Sequence, residues 1–121
     1  MSKKILFVDD EADLLMVLSI RLKKTGYEVF EAIDGQGALD QARLIMPDLI
    51  VLDVFLPVMN GDEVAKILKS DEKLKSIPII LISADSKTLQ ERARASGADD
   101  YLAKPFASGA LVSMVNKYIP L

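Results

Sequence analysis

The 121-residue chain has room for a single domain, and its composition, half apolar and 27% charged, is typical of a folded globular protein. It contains no cysteine and no histidine, which excludes disulfides, thiolate metal sites, histidine general bases and nearly all zinc sites. The net charge of −3, with no strongly basic window, argues against direct binding of nucleic acid.

The amino terminus, Met1–Lys4, is followed by only a short apolar run. The sequence has neither a signal-peptide core nor an apolar span of 18 residues, so we expect no membrane segment. We therefore expect a cytoplasmic protein.

Five short segments typical of strands alternate with five helical patterns. Three of these segments, 5–8, 49–52 and 79–82, are continuously apolar, which indicates strands buried on both faces. The weaker segments 27–32 and 100–103 are expected at the edges of the sheet. Apolar stripes predict the helices between them: Leu14, Leu15, Leu18 and Leu22; Ala38, Leu39, Ala42, Ile45 and Met46; Val64, Ile67 and Leu68; Leu89 and Ala93; Phe106, Ala110, Leu111, Met114, Val115 and Tyr118.

Signals at the helix ends support this division of the chain. Gly26, Pro47 and Gly97 stop the first, second and fourth helices. Thr88 and Glu91 have the spacing of a capping box in the fourth helix.

Alternation of strands and helices predicts right-handed βαβ units and a mainly parallel sheet. With the three apolar segments in the middle, the expected strand order is 2-1-3-4-5. This is an α/β, doubly wound, flavodoxin-like fold with five strands and five helices in one domain over residues 1–121.

Polar side chains follow four strands that are neighbours in this order. Asp9 and Asp10 come after the first strand, Asp53 after the third, Ser83 after the fourth and Lys104 after the fifth. Because the carboxyl ends of parallel strands meet at one edge of the sheet, these groups are expected to converge there. Each alone has an ordinary structural explanation: a helix cap, a turn residue or a solvated lysine.

Carboxylates crowded at one edge would repel each other, and a divalent cation relieves that repulsion. With oxygen ligands alone, Mg²⁺ is the expected ion, and Mn²⁺ or Ca²⁺ are alternatives. A metal, a cation at Lys104 and a hydroxyl at Ser83 are the groups that phosphoryl transfer requires. Asp53 can then act as a nucleophile that forms an acyl phosphate.

The chain resembles the receiver domain of two-component response regulators, including the chemotaxis-type members. The resemblance spans the whole chain and is highly specific as a set. It rests on Val8-Asp9-Asp10-Glu11, on Asp53 with Pro57 and Gly61, on Ser83-Ala84 and on Lys104-Pro105-Phe106.

The resemblance implies a phosphorylation-activated signalling receiver rather than a turnover enzyme. Asp53 would take a phosphoryl group from a phosphohistidine on a sensor histidine kinase or a histidine phosphotransfer protein. Asp10, Asp53 and the backbone carbonyl of Phe55 would bind Mg²⁺ directly, and Asp9 would act through water. The output would pass to a downstream effector protein or domain.

The resemblance also implies the switch. Lys104 would pair with the phosphoryl oxygens, and Ser83 would move to hydrogen-bond the phosphate. Tyr101 would then turn inward and alter the surface of the fourth helix, fifth strand and fifth helix. The Lys104–Pro105 bond is expected to be cis.

Departures from the common pattern of the family are small. Ser83 replaces the usual Thr and keeps the hydroxyl, while Val58 stands where Gly is frequent. Phe55 is bulky and apolar at a position thought to influence attack by water, and Asp85 occupies the other such position. We expect a longer phosphoryl lifetime than in fast-decaying chemotaxis-type members.

Three other functions fit these residues less well. An aspartyl-phosphate phosphatase of the dehalogenase type needs Asp-x-Asp after its first strand, whereas this chain has Asp9-Asp10-Glu11. A phosphorylation-independent binding module would not need the full set of site residues. A flavin or nucleotide site would need a glycine-rich phosphate loop, which the first turn does not have.

Overall fold

The computed structural model describes residues 2–121, and it confirms the predicted alternation of five strands with five helices. The elements are β1 (Lys4–Val8), α1 (Ala12–Thr25), β2 (Glu28–Ala32), α2 (Gly35–Ile45), β3 (Leu49–Asp53), α3 (Gly61–Lys69), β4 (Ile79–Ser83), α4 (Ser86–Ser96), β5 (Asp100–Ala103) and α5 (Ser108–Tyr118). Over residues 2–121, no helix has the length and apolar character needed to cross a membrane.

The five strands form one parallel sheet in the order β2-β1-β3-β4-β5, which confirms the predicted doubly wound topology. In the register, Val8 lies opposite Leu52, and Asp53 lies opposite Ile82. The chain order reverses between β1 and β3, so the carboxyl ends of these two strands border the crevice where ligands bind in such sheets.

The core has two layers because neighbouring residues of a strand point to opposite faces of the sheet. Ile5 and Phe7 of β1 pack with α1 and α5, whereas Leu6 and Val8 pack with α2, α3 and α4. The apolar residues of β1, β3 and β4 are buried throughout, as predicted for central strands. β2 and β5 are the edges, and both are only partly buried.

Some local predictions were wrong. Met46 and Ala110, expected on the apolar stripes of α2 and α5, are exposed, and Met46 and Phe106 lie outside those helices. Thr88 does not start a capping box: α4 begins at Ser86, so Thr88 is already inside its first turn, where its hydroxyl donates to Asp85 Oδ2 at 2.9 Å. Ile67 is exposed, since Val64 and Leu68, one turn apart, form the side of α3 that faces the sheet.

The loop between β3 and α3, residues 54–60, is tied to the end of β3. The Gly61 amide donates to the Val54 carbonyl at 2.6 Å, and a Cβ at Gly61 would collide with the Asp53 carbonyl. Only glycine permits this close approach of backbone to backbone. Within the loop, Val58 has φ of +72°, a left-handed conformation that is strained for a β-branched residue.

Candidate functional site

Three carboxylates meet at the carboxyl edge of the sheet. One oxygen each from Asp9, Asp10 and Asp53 lies within 4.8 Å of the others. Asp9 and Asp53 are buried, and Asp10 is exposed. The convergence predicted from the strand order is therefore present in the structure.

Lys104 is placed among these acids by the end of β5. Its Nζ lies 2.9 Å from Asp53 Oδ2, 2.9 Å from Asp9 Oδ2 and 3.2 Å from Glu11 Oε1, and its side chain is 10% exposed. Burial works to lower the pKa of Lys104, but the contacts with Asp53 and Asp9 outweigh it and hold the pKa above its usual value. Lys104 therefore carries a fixed positive charge.

The surroundings of Asp53 favour its protonated form. Burial, reinforced by the charge of Asp9, raises the pKa of Asp53 to about 6, although the hydrogen bond from Lys104 opposes that rise. The Phe55 amide donates to Oδ1 at 3.3 Å, and Lys104 donates to Oδ2 at 2.9 Å. The carboxylate is thus oriented by a hydrogen bond to each of its two oxygens.

Asp9 has one satisfied oxygen and one that is not. Oδ1 accepts from the Glu11 amide at 2.9 Å, but the N-cap of α1 is Glu11, so Asp9 is not the cap of that helix. Oδ2 is buried and forms an ion pair with Lys104 at 2.9 Å, but the contact does not have the geometry of a hydrogen bond. A buried oxygen of this kind costs free energy unless a further partner satisfies it.

The donor set fits a hard divalent cation. It offers carboxylate oxygens from Asp10, Asp53 and Asp9. The buried Oδ2 of Asp9, which accepts no hydrogen bond, is suited to accept one from a metal-bound water. Mg²⁺ prefers this sparse set of oxygens because it retains several waters of its own.

Ser83 lies at the end of β4, the strand next to Asp53, and Tyr101 lies on β5, one strand further out. Ser83 is fully buried, one residue beyond the position opposite Asp53, and its Oγ accepts from the Asp85 amide at 3.0 Å. Tyr101 lies on β5 with its side chain 37% exposed. The Lys104 amide donates to the Ser83 carbonyl at 2.8 Å, and the Lys104–Pro105 bond is cis.

Two contributors were not identified from the sequence. Glu11 forms an ion pair with Lys104, and its place in the Val8-Asp9-Asp10-Glu11 motif did not indicate that contact. Arg92 of α4 contacts both Phe55 and Asp62 at the two ends of the β3–α3 loop. The sequence places Thr88 and Arg92 one turn apart on a helix. It does not show that Arg92 contacts residues of another element.

The comparisons with known proteins agree with this geometry. Residues 5–116 match the model of the response regulator receiver domain, and the chain belongs to that family. It is 43% identical over 108 residues to the alkaline phosphatase synthesis transcriptional regulatory protein PhoP of Bacillus subtilis, covering 88% of this chain and 44% of that protein. The chain spans about half the length of the curated relatives it matches.

Solved structures with the same fold include two informative neighbours. The chemotaxis response regulator CheY4 of Vibrio cholerae has a TM-score of 0.91 and 32% identity, with 98% of this chain and 99% of that chain covered. The response regulator TrrA of Thermotoga maritima, determined in complex with Mg²⁺-BeF, has a TM-score of 0.86 and 34% identity, covering 96% and 98%. The chain is therefore a response regulator receiver domain, and domains of this family are signalling modules.

Proposed function

We propose that Asp53 is the phosphoacceptor of this receiver. The observation that carries the proposal is the placement of Asp53: its buried carboxylate is held by Lys104 and lies within 4.8 Å of ligand oxygens from Asp9 and Asp10. Four groups of the correct chemistry meet there although β1, β3 and β5 are distant in sequence.

The phosphoryl group comes from a phosphohistidine on a sensor histidine kinase or a histidine phosphotransfer protein. An Asp53 carboxylate oxygen attacks phosphorus, the phosphorus–nitrogen bond breaks, and the electron pair returns to the imidazole. Lys104 exchanges its contact with Asp53 for one with the phosphoryl oxygens. The chain thereby catalyses its own phosphorylation, and water later reverses it.

A bound Mg²⁺ would neutralise charge that develops on the phosphoryl oxygens. We assign direct ligation to Asp10, to Asp53 and to the backbone carbonyl of Phe55, with Asp9 acting through water. Mn²⁺ would satisfy the same ligands. The Mg²⁺-BeF complex of the similar protein TrrA supports this assignment.

The output is a change in the surface formed by α4, β5 and α5. Ser83 would give up the Asp85 amide to hydrogen-bond the phosphoryl group, and Tyr101, which is partly exposed, would turn inward. The readout is an effector protein or domain. The name of the similar Bacillus subtilis protein supports transcriptional control as one such output.

Acetyl phosphate with Mg²⁺ tests the proposal directly. Intact-mass measurement should show the gain of one phosphoryl group in the wild-type protein and none in Asp53→Asn. Asp40→Asn, which changes an exposed acid on α2, is the matched control and should label normally. Equal labelling of Asp53→Asn would show that the phosphoacceptor lies elsewhere.

The single-domain boundary at 1–121 and the cytoplasmic location stay predictions.

A further inference from the structure

Arg92 has three partners on three parts of the chain. Its Nη1 donates to Asp62 Oδ2 at 2.9 Å, its guanidinium carbon lies 5.0 Å from the centroid of the Phe55 ring, and its Nε donates to Thr88 Oγ1 at 3.1 Å. The side chain is partly buried, so it is less screened by water than an exposed arginine.

Two of these partners bracket the β3–α3 loop. Phe55 is near its start, two residues after Asp53, and Asp62 follows its end in the first turn of α3. Arg92 of α4 therefore contacts both ends of this loop. The loop contains the Phe55 amide, which donates to Asp53 Oδ1. The Phe55 ring itself is 46% exposed, so protein packing alone does not fix it.

The third partner connects Arg92 to the other side of the site. Thr88 donates to Asp85 Oδ2 at 2.9 Å, and the Asp85 amide donates to Ser83 Oγ at 3.0 Å. A continuous series of contacts thus runs from Ser83 through Asp85, Thr88 and Arg92 to Phe55. It joins the ends of β3 and β4 through α4.

We propose that Arg92 is a positioning residue that sets the lifetime of the phosphoryl group on Asp53, an inference that rests on the proposed function. By stacking on Phe55 and anchoring Asp62, Arg92 holds the ring and the loop beside Asp53 and limits the approach of water. In the reaction it slows, water attacks phosphorus and the bond from phosphorus to the Asp53 oxygen breaks. Inorganic phosphate, the free carboxylate and a proton result.

Loss of phosphoryl from purified protein tests the proposal. Arg92→Ala should lose the group about threefold to tenfold faster than wild type, a range set by the strength of one cation–π contact and one partly exposed ion pair. Arg92→Lys, which keeps the charge without the planar fork, should fall between them. Arg94→Ala is the matched control, since Arg94 lies on the same helix but pairs with Glu91 at the surface.

A double-mutant cycle tests whether Arg92 acts in part through the Phe55 ring or only by a general loosening of the protein. Phe55→Ala should also speed the loss, and Arg92→Ala should add less in that background than it does in wild type, because part of its effect passes through the ring. An equal acceleration by Arg92→Ala with and without Phe55 would overturn the proposal. So would equal lifetimes for Arg92→Ala, Arg94→Ala and wild type.

Amide hydrogen exchange of the unphosphorylated protein gives a second readout. Exchange should rise in Arg92→Ala over residues 54–60 and not in Arg94→Ala, and unchanged exchange there would also overturn the proposal. A wild-type protein that takes no label would remove both this inference and the proposed function. A labelled wild type whose lifetime ignores Arg92 would remove the inference alone.

Discussion

Lys104 Nζ and Asp53 Oδ2 lie 2.9 Å apart, a contact that joins the end of the edge strand β5 to the end of β3 across the full width of β4. The same ammonium lies 2.9 Å from Asp9 Oδ2. In this structure one lysine compensates two buried carboxylates. Its ammonium supplies part of the positive charge that a bound metal would otherwise provide to these carboxylates.

Replacing Lys104 should therefore separate metal binding from phosphorylation. Lys104→Met removes a competing positive charge, so Mg²⁺ should bind about tenfold more tightly. Labelling by acetyl phosphate should nevertheless slow by at least about tenfold, because the phosphoryl oxygens lose their cation. Calorimetric Mg²⁺ titration and labelling rates measure the two effects. Lys87→Met, on the exposed side of α4, is the control, and weaker Mg²⁺ binding in Lys104→Met would contradict this account.

Asp53 should make the metal-free protein less stable as the pH rises. Its pKa is about 6 in the folded protein against an ordinary 3.8, so the folded state holds the proton more tightly than the unfolded state does. The resulting stability is complete below the unfolded value and is lost as the pH rises through about 6. Asp53→Asn does not titrate, and should exceed wild type near neutral pH by up to about 3 kcal/mol.

Urea unfolding in EDTA at a series of pH values measures this difference. Saturating Mg²⁺ should reduce the gap, since it favours the ionised carboxylate in the folded state. Parallel stability curves for wild type and Asp53→Asn across this range would show that the Asp53 pKa is not raised.

Val58 is a site where a substitution should stabilise the protein. Its φ of +72° is unfavourable for a β-branched residue, and its side chain is exposed, so little packing is lost on replacement. Val58→Gly should raise the free energy of unfolding by about 1 kcal/mol. Val17→Gly on the exposed face of α1 is a contrasting control and should destabilise, because glycine is unfavourable inside a helix. Destabilisation by Val58→Gly would mean that the loop tolerates the conformation without strain.

Asp99 is expected to matter for stability rather than for phosphorylation. Its Oδ2 accepts from Lys69 Nζ and from the Ile79 amide, both at 2.8 Å, at the start of β4 and far along the strand from Asp53. Asp99→Ala should cost about 2 kcal/mol, since it leaves the Ile79 amide without its acceptor and removes the carboxylate partner of Lys69, whose ammonium keeps two backbone carbonyls. Glu72→Ala breaks only the exposed pair with Lys75 and should cost under about 0.5 kcal/mol. Equal losses in thermal or urea unfolding would contradict the assignment.

Much of the fold was predictable because continuous apolar segments indicate which strands are buried. The continuous apolar segments ending at Val8, Leu52 and Ile82 identified the central strands, and the strand order then placed Asp9 and Asp53 together. Individual partners were less accessible. The Thr88 capping box failed because the helix start depends on the backbone at Asp85, and Arg92 was missed because its aromatic and acidic partners lie on another element.

Identification of the modified residue tests the central claim most directly. Wild-type protein phosphorylated with acetyl phosphate and Mg²⁺ should be reduced with borohydride, which converts an aspartyl phosphate to homoserine, and then analysed by peptide mass spectrometry. Homoserine is expected at position 53 and nowhere else in the chain. Homoserine at Asp9 or Asp10, with position 53 unchanged, would contradict it.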